Sequence, residues 1–450
     1  MSGPTQKAPR QRCEPARAED VRSDVLQVFG AGLIVEGHAP YMLWRDVEAA
    51  AGQRIAAPKR AGTLDNALAR ARLFRAEALR ATLQHWSADG RAVQSFVENY
   101  PLPAQFVFPG YGDGMKDPQA WMKRRAVRMQ QVLQLDAGMG FHAFEAGPAM
   151  RLQTINDLLW TTIFERFDGA GDLSSLLVYA EEGHAVRSEL GWTEDAGEDL
   201  RDVLARDRRG TDRSDTFAPL LLGRPEAAQW LRELAPHVVD SVDVVTHANG
   251  LRSRSAHGFG HLGRDHHTGR VTYRAPARAA RTPYVPEPWS EAQIAQYNAM
   301  PMLAGVHRPM MATWEDPRAA DAVKALAAAL AAAIDGPLQG VPPLRVFYDL
   351  GALGDEAARR VLLLQSLQAA MPAFDLLDVR HGYSLVDRLG DTGAAGAFAG
   401  VGLASLAAWE TGDAALVVLL RRTQGATVLA VSPADAAYRQ RFKKMPYAAS

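Results

Sequence analysis

The sequence predicts an α/β protein made of two strand-bearing halves around an irregular middle. Three observations predict it. Short apolar, β-branched runs alternate with stretches of helical spacing. The alternation breaks once, over 240–287, where Arg, His, Gly and Pro accumulate. It then resumes and ends on a strand pair. Strands alternating with helices favour a largely parallel sheet covered on both faces. At 450 residues the chain is long enough for two or three domains, or for one large duplicated fold.

Each element follows from its own residues. Residues 25–35 (VLQVFGAGLIV) read as a buried strand, followed by helices over 41–51 and 64–86. Pro101, Pro103 and Pro109 bound a strand over 105–108, and Asp117-Pro118 opens a helix reaching 135. A short strand is expected at 141–145. Beyond it Ile155, Leu158, Leu159, Ile163, Phe164 and Phe167 recur at helical spacing. Strands at 176–180 and 216–222 precede a helix at 226–234. The irregular middle holds one strand, at 270–273. A helix over 317–334, a strand over 344–350 and a helix over 355–370 follow. A small-residue helix over 396–409 leads to strands at 415–420 and 427–431. The chain thus divides into a tail (1–23), an N-terminal half (24–239), a linking region (240–287), a C-terminal half (288–436) and a second tail (437–450).

Composition excludes several classes. With 47% apolar and 22% charged residues the chain is that of a folded globular protein. A formal net charge of -1 offers no general attraction to nucleic acid or anionic membrane, so partners must be recognised by local surface chemistry. Cys13 is the only cysteine, which rules out an internal disulfide. The charge-free apolar run at 325–334 is half of what a bilayer needs, and the first twenty residues lack the apolar stretch of a signal peptide. The expectation is a cytoplasmic chain with no membrane span.

The chemical motifs do not complete. Gly258, Gly260 and Gly263 match the dinucleotide-binding pattern, but RDHHTGR follows where an apolar helix should receive the pyrophosphate. Gly30-Ala31-Gly32 follows a strand, yet Val35 stands where the third glycine belongs. His247, His257, His261, His266 and His267 are dense enough to suggest zinc, but Asp265 is the only acid among them. A solvated Arg/His-rich loop accounts for them. No nucleophile elbow, P-loop or HExxH occurs. Ser405 lies in an apolar helix where its hydroxyl bonds the preceding turn. Glu181-Glu182 reads as a solvated pair at a strand end. No catalytic residue, metal or cofactor is expected.

Residues 388–402 (RLGDTGAAGAFAGVG) carry an architectural signal. A turn of Gly390, Asp391, Thr392 and Gly393 runs into a Gly/Ala helix that Asp391 or Thr392 can cap. Such small residues permit close packing, and the helix is expected at the heart of a two-sided sheet.

Several stretches together resemble the bacterial type VI lipase adaptor family: VLQVFGAGLIV, FERFD with LLVYAEEG, DTFAPLLLGRPEAAQWLR, PYVPEPWSEAQIAQYNAMPMLAGVHRP and YSLVDRLGDTGAAGAFAGVGLASLAA, in that order. The resemblance implies a non-catalytic adaptor or chaperone that binds a lipase effector and helps load it on the spike, with the VgrG spike protein as a further partner. Trp289, Tyr297, His307 and Arg308 are the interface residues expected within these stretches, since aromatics and arginine dominate interface energies.

The last third also resembles the thiolase and ketoacyl-synthase fold, through the Gly-Asp-Thr-Gly turn, the small-residue helix and ALVVLLRRTQGATVLAV. This implies a thiolase-like duplicated, layered α/β architecture. Condensing enzymes of that fold use a cysteine at the start of a buried helix, and Cys13 precedes the fold. The expectation is a scaffold without its condensing chemistry. The alternative is a divergent acyl-transfer enzyme or hydrolase whose site no motif reveals.

Overall fold

The computed structural model describes residues 22–55, 64–83, 104–108, 157–169, 175–191, 213–224, 302–351 and 356–442, with short strands at 85–86, 92–93, 151–152, 244–246 and 252–254. One sheet holds twelve strands. Six come from the first half: β1 (Val25–Ala31), β2 (Ile34–Val35), β3 (Ala104–Phe108), β4 (Arg151–Leu152), β5 (Ser175–Glu182) and β6 (Thr216–Gly223). Six come from the second: β7 (Ala304–His307), β8 (Met310–Thr313), β9 (Arg345–Asp349), β10 (Gly382–Ser384), β11 (Ala415–Leu419) and β12 (Gly425–Pro433).

Their order reveals a duplication. Reading outward from the centre, one half runs β1-β6-β5-β3-β4 and the other β7-β12-β11-β9-β10. Adding six to each strand number of the first half gives the second. Pairing repeats too. β3 is parallel to β4 and β5, as β9 is to β10 and β11. β6 is antiparallel to β5 and β1, as β12 is to β11 and β7. β2 extends the edge of β6 as β8 extends that of β12. Antiparallel pairing of β1 with β7 joins the halves. The sheet is therefore mixed, not largely parallel as the alternation suggested. The reason lies in the connections: β11 and β12 form a tight hairpin, which only antiparallel neighbours can share.

Nine helices cover the sheet among the described residues: α1 (Leu43–Ala49), α2 (Leu64–Leu83), α3 (Leu159–Gly169), α4 (His184–Gly191), α5 (Ala320–Asp335), α6 (Glu356–Ala370), α7 (Leu385–Leu389), α8 (Gly396–Thr411) and α9 (Ala436–Arg441). α2 packs on β1, β6 and α4, while α5 packs on β8, β12 and α6. Between these outer layers runs α8, in contact with β1, β6, β7, β9, β11 and β12. Residues Gly396 to Trp409 of α8 are all buried, and a helix that is apolar on every side has to be. α3, which sits between β4 and β5 as α8 sits between β10 and β11, packs against it. Trp160 donates its indole N–H to Ala397 O at 3.2 Å and lies 5.5 Å from the Phe398 ring. The small-residue helix is thus central, as expected, and Ser405 bonds Val401 O at 2.8 Å within it.

Three boundaries differ from the sequence reading. The 25–35 run splits into β1 and β2 because α2 crosses it: a Cβ on Gly30 would lie 2.0 Å from Thr82 O, and one on Gly32 1.9 Å from Ala78 O. His85–Trp86 does not extend α2 but pairs with Ala92–Val93. The expected C-terminal tail begins with α9, capped by Asp435, after which Phe442 buries its ring against Tyr438 at 4.8 Å. Within the irregular middle Val244–Thr246 and Arg252–Arg254 form an antiparallel pair. The helices expected at 118–135 and 226–234, and the strands at 141–145 and 270–273, lie outside the described residues.

Candidate functional site

The two halves meet in a buried charge cluster at the carboxyl ends of β5, β9 and β11. Glu182 closes β5 and is fully buried, with Glu181 beside it. The reading of this pair as solvated is therefore corrected. Arg187, one turn into α4, donates to Glu182 Oε1 at 2.6 Å and Oε2 at 3.0 Å. Arg213, just before β6, reaches Oε2 at 3.2 Å, and the backbone amides of Gly183 and Ala394 add bonds at 2.9 and 3.1 Å. Burial pushes the Glu182 carboxyl up, and Arg187 opposes that shift. Such a carboxylate exists only because both of its oxygens are occupied.

The turn from Gly390 to Gly393 completes this cluster rather than merely starting a helix. Gly393 has φ +44°, and a Cβ there would fall 2.3 Å from Glu182 Oε2, so only glycine admits the carboxylate. Asp391 Oδ1 accepts from the Gly393 amide at 3.0 Å and from Arg421 Nη2 at 2.8 Å. Arg421 also donates to Asp349 Oδ2, at the end of β9, at 2.6 Å. Burial works against the Arg421 charge, but Asp349 and Asp391 outweigh it and raise its pKa. Ser214 bridges the halves twice, through its amide to Asp391 O at 3.0 Å and its hydroxyl to Leu389 O at 2.6 Å. The Thr392 hydroxyl is buried and does not cap the helix.

Two further groups flank the cluster. Glu36 accepts from the Asp215 amide at 2.7 Å and pairs with Arg70, which also stands 3.0 Å from Asp215 Oδ2 as an ion pair. Asp215 accepts from the Ala185 amide at 2.7 Å. Burial, reinforced by Glu36 and Glu182, pushes the Asp215 carboxyl up to about 7, against the pull of the Ala185 amide and Arg70. On the other side Arg422 donates to Asp157 at 2.5 Å, at the start of α3. The consecutive arginines of the β11–β12 hairpin therefore serve the entrances of both central helices, Arg421 at α8 and Arg422 at α3.

Chemically, the carboxylates of this assembly mostly face guanidinium groups and amides. Tyr179 donates its hydroxyl to Glu181 at 2.5 Å, and no imidazole or thiol is paired with a base in it among the described residues. Elsewhere, among the described residues, His307 Nε2 lies 3.0 Å from Ser432 Oγ across β7 and β12, and Ser432 also bonds Gly305 O at 3.4 Å. Burial lowers the His307 pKa, with Asp24 opposing. Arg308 is held within the chain, by Asp168 at 2.6 Å and Ser23 O at 2.7 Å, and lies 5.1 Å from the Phe164 ring centre. Trp289, Tyr297 and the histidines at 247, 257, 261, 266 and 267 lie outside the described residues. Among the described residues no cluster of His, Cys, Asp or Glu is arranged to hold a metal, and no helix is long and apolar enough to cross a membrane.

Sequence reasoning found the Gly-Asp-Thr-Gly turn and missed its partners. The available signals were Glu182 followed five residues later by Arg187, and the Arg421-Arg422 pair in an otherwise apolar hairpin.

Comparison with known proteins finds both solved structures and family models similar to this chain. Among solved structures the chain is similar to the ishigamide ketosynthase/chain length factor, at 14% identity over 91% of this chain and 100% of that one, with a TM-score of 0.45. It is also similar to the ketosynthase from module 6 of the bacillaene synthase from Bacillus subtilis 168, at 9% identity over 92% of this chain and 72% of that one, with a TM-score of 0.48. Two family models match the sequence: type VI lipase adapter protein Tla3, N-terminal, over residues 24–199, and type VI lipase adapter protein Tla3, C-terminal, over residues 303–433. Together they take in β1 to β5 and β7 to β12, and the chain belongs to the type VI lipase adapter family.

Proposed function

We propose that this chain is a non-catalytic adaptor that binds a type VI secretion lipase effector in the cytoplasm and helps load it on the secretion spike, with VgrG as the spike partner. The observation that carries this reading is the pair of adapter-family matches, in order, over both halves of the sheet. The charge cluster supports it. The Glu182, Asp349 and Asp391 carboxylates are each held by arginines, and no imidazole or thiol stands beside them among the described residues. The units of the adaptor are the halves 24–239 and 288–436 with the link 240–287 between them. Trp289, Tyr297, His307 and Arg308 contribute to the partner face in this reading, with Arg308 also stapling α3 to the chain entry at Ser23.

The test is size-exclusion chromatography of the purified chain with the lipase effector encoded beside it. Co-elution as a stable complex is expected. Separate elution of two folded proteins would remove the reading. A hydrolase is the second reading, favoured by the His307–Ser432 contact alone. Hydrolysis of phospholipid or acyl thioester by the purified chain, lost in Ser432→Ala, would establish it in place of the adaptor.

A further inference from the structure

The opposite end of the same sheet carries a different surface. β9, β10 and β11 all begin beside a groove with a volume of about 650 Å³. Its walls are Ile334 at the end of α5, Pro342 and Leu344 before β9, and Met371 and Phe374 after α6. Asp335, His381 and Asp413 supply its polar edge. Leu344 lines the groove and is exposed, and the segments that border it also carry Val341, Leu377 and Val379. Four of the nine large apolar side chains exposed among the described residues thus lie in these segments. Leu377 is the most exposed of all, at 68%. Apolar surface gathered in this way, with a polar rim, marks an interaction site.

The loop that carries Leu377 and Val379 is fixed by its own bonds. Asp375 Oδ1 accepts from the Leu377 amide at 2.9 Å, and Asp378 Oδ1 from the Arg380 amide at 2.9 Å. Arg388 donates to Val379 O at 2.7 Å, and Leu376 is buried beneath. Gly382 lets this loop close, since a Cβ there would stand 1.9 Å from Leu376 O. A partner therefore meets the exposed side chains already ordered, which lowers the entropic cost of binding.

Charge defines what fits. α5 and α6 both end at the groove, and neither has a basic residue in its last turn. Their carbonyl ends leave the groove negative. Asp335 adds a charge to the same edge. Asp413 is matched by Arg345 at 3.0 Å, and Arg380 is held by Asp378 at 2.7 Å, so neither offsets the helix ends. The complementary ligand is a protein segment with bulky apolar side chains next to Lys or Arg.

We propose that this groove is a docking surface for the lipase effector, additional to the face that carries His307 and Arg308, and that the effector inserts there an apolar segment flanked by a basic residue. The inference rests on the adaptor reading and gives it a location. Calorimetric titration of the full chain with the lipase effector encoded beside it tests the proposal. Leu344→Asp combined with Leu377→Asp should weaken binding by at least about 100-fold, and Asp335→Lys by about tenfold. Leu73→Asp, at an exposed site on α2, should leave affinity unchanged. Leu344, on the groove wall, and Leu377, on the loop beside it, are both exposed, so the melting temperature of the double variant should match that of the original chain. A folded double variant that binds with the original affinity overturns the proposal while the adaptor reading stands. Failure of the unaltered chain to bind removes both. Conversion of a self-associated chain to a monomer by the double variant, with lipase affinity unchanged, would assign the groove to a second copy and overturn the proposal.

Discussion

The two ends of the β9–β11 strands use the same backbone for opposite purposes. At their carboxyl ends Arg421 holds Asp349 and Asp391 together, and Asp391 in turn takes the Ser214 amide and the Arg213 charge from the other half. At their amino ends Leu344, Leu377 and Val379 are exposed among the described residues. In many open α/β sheets the carboxyl ends hold the ligand. Here a duplicated architecture brings two sets of strand ends together, and charges fill the space between them. The difference teaches that a scaffold whose usual site is closed still has a second end on which binding can be built.

The largest effect is expected where the closed end is broken. Glu182→Ala removes the counter-charge of Arg187 and Arg213 in a fully buried place. Removing one partner of a buried pair costs ~3–5 kcal/mol, which denaturant unfolding would measure. A cost below ~1 kcal/mol would mean that the cluster is not what unites the halves.

A smaller effect is expected from protons. The Asp215 carboxyl is pushed up to about 7 in the folded state from an ordinary value of 3.8. Over that window the folded chain holds a proton that the unfolded chain has released. Stability from this group is therefore greatest at the acid end, falls as pH rises from about 4 to about 7, and levels off above. A full one-proton difference corresponds to about 1.4 kcal/mol per pH unit. Burial shifts Glu182 and Asp157 in the same direction and adds to the slope. Chemical unfolding at a series of pH values should show a shallower slope for Asp215→Asn. An unchanged slope would exclude Asp215 as the source.

Much of this fold was legible in the sequence. The amphipathic repeat from Leu159 to Phe167 gave α3, and 388–402 gave the buried α8 with its Gly-Asp-Thr-Gly entrance. These features are local, carried by spacing or by small residues in a row. The duplication is expected from the two strand-bearing halves and the thiolase-like resemblance, but no residue repeat carries its strand order. The halves repeat order and not residues: α4 lies between β5 and β6 where β11 and β12 have only a hairpin turn. The charge cluster was misjudged for a related reason. Glu182 takes donors from α4, from the entry to β6 and from the turn before α8, more than 200 residues away in the last case. Nothing beside it in the chain announces that it is buried. The groove is assembled from four segments that the sequence keeps apart, and each reads alone as an ordinary loop.

Amide hydrogen exchange, on the chain alone and on its complex with the lipase effector, tests the central contrast most directly. The account predicts that binding slows exchange at 340–344 and 371–381 and leaves 182–187 and 389–395 unchanged. Slowed exchange confined to 182–187 and 389–395, with the groove unaffected, would contradict it.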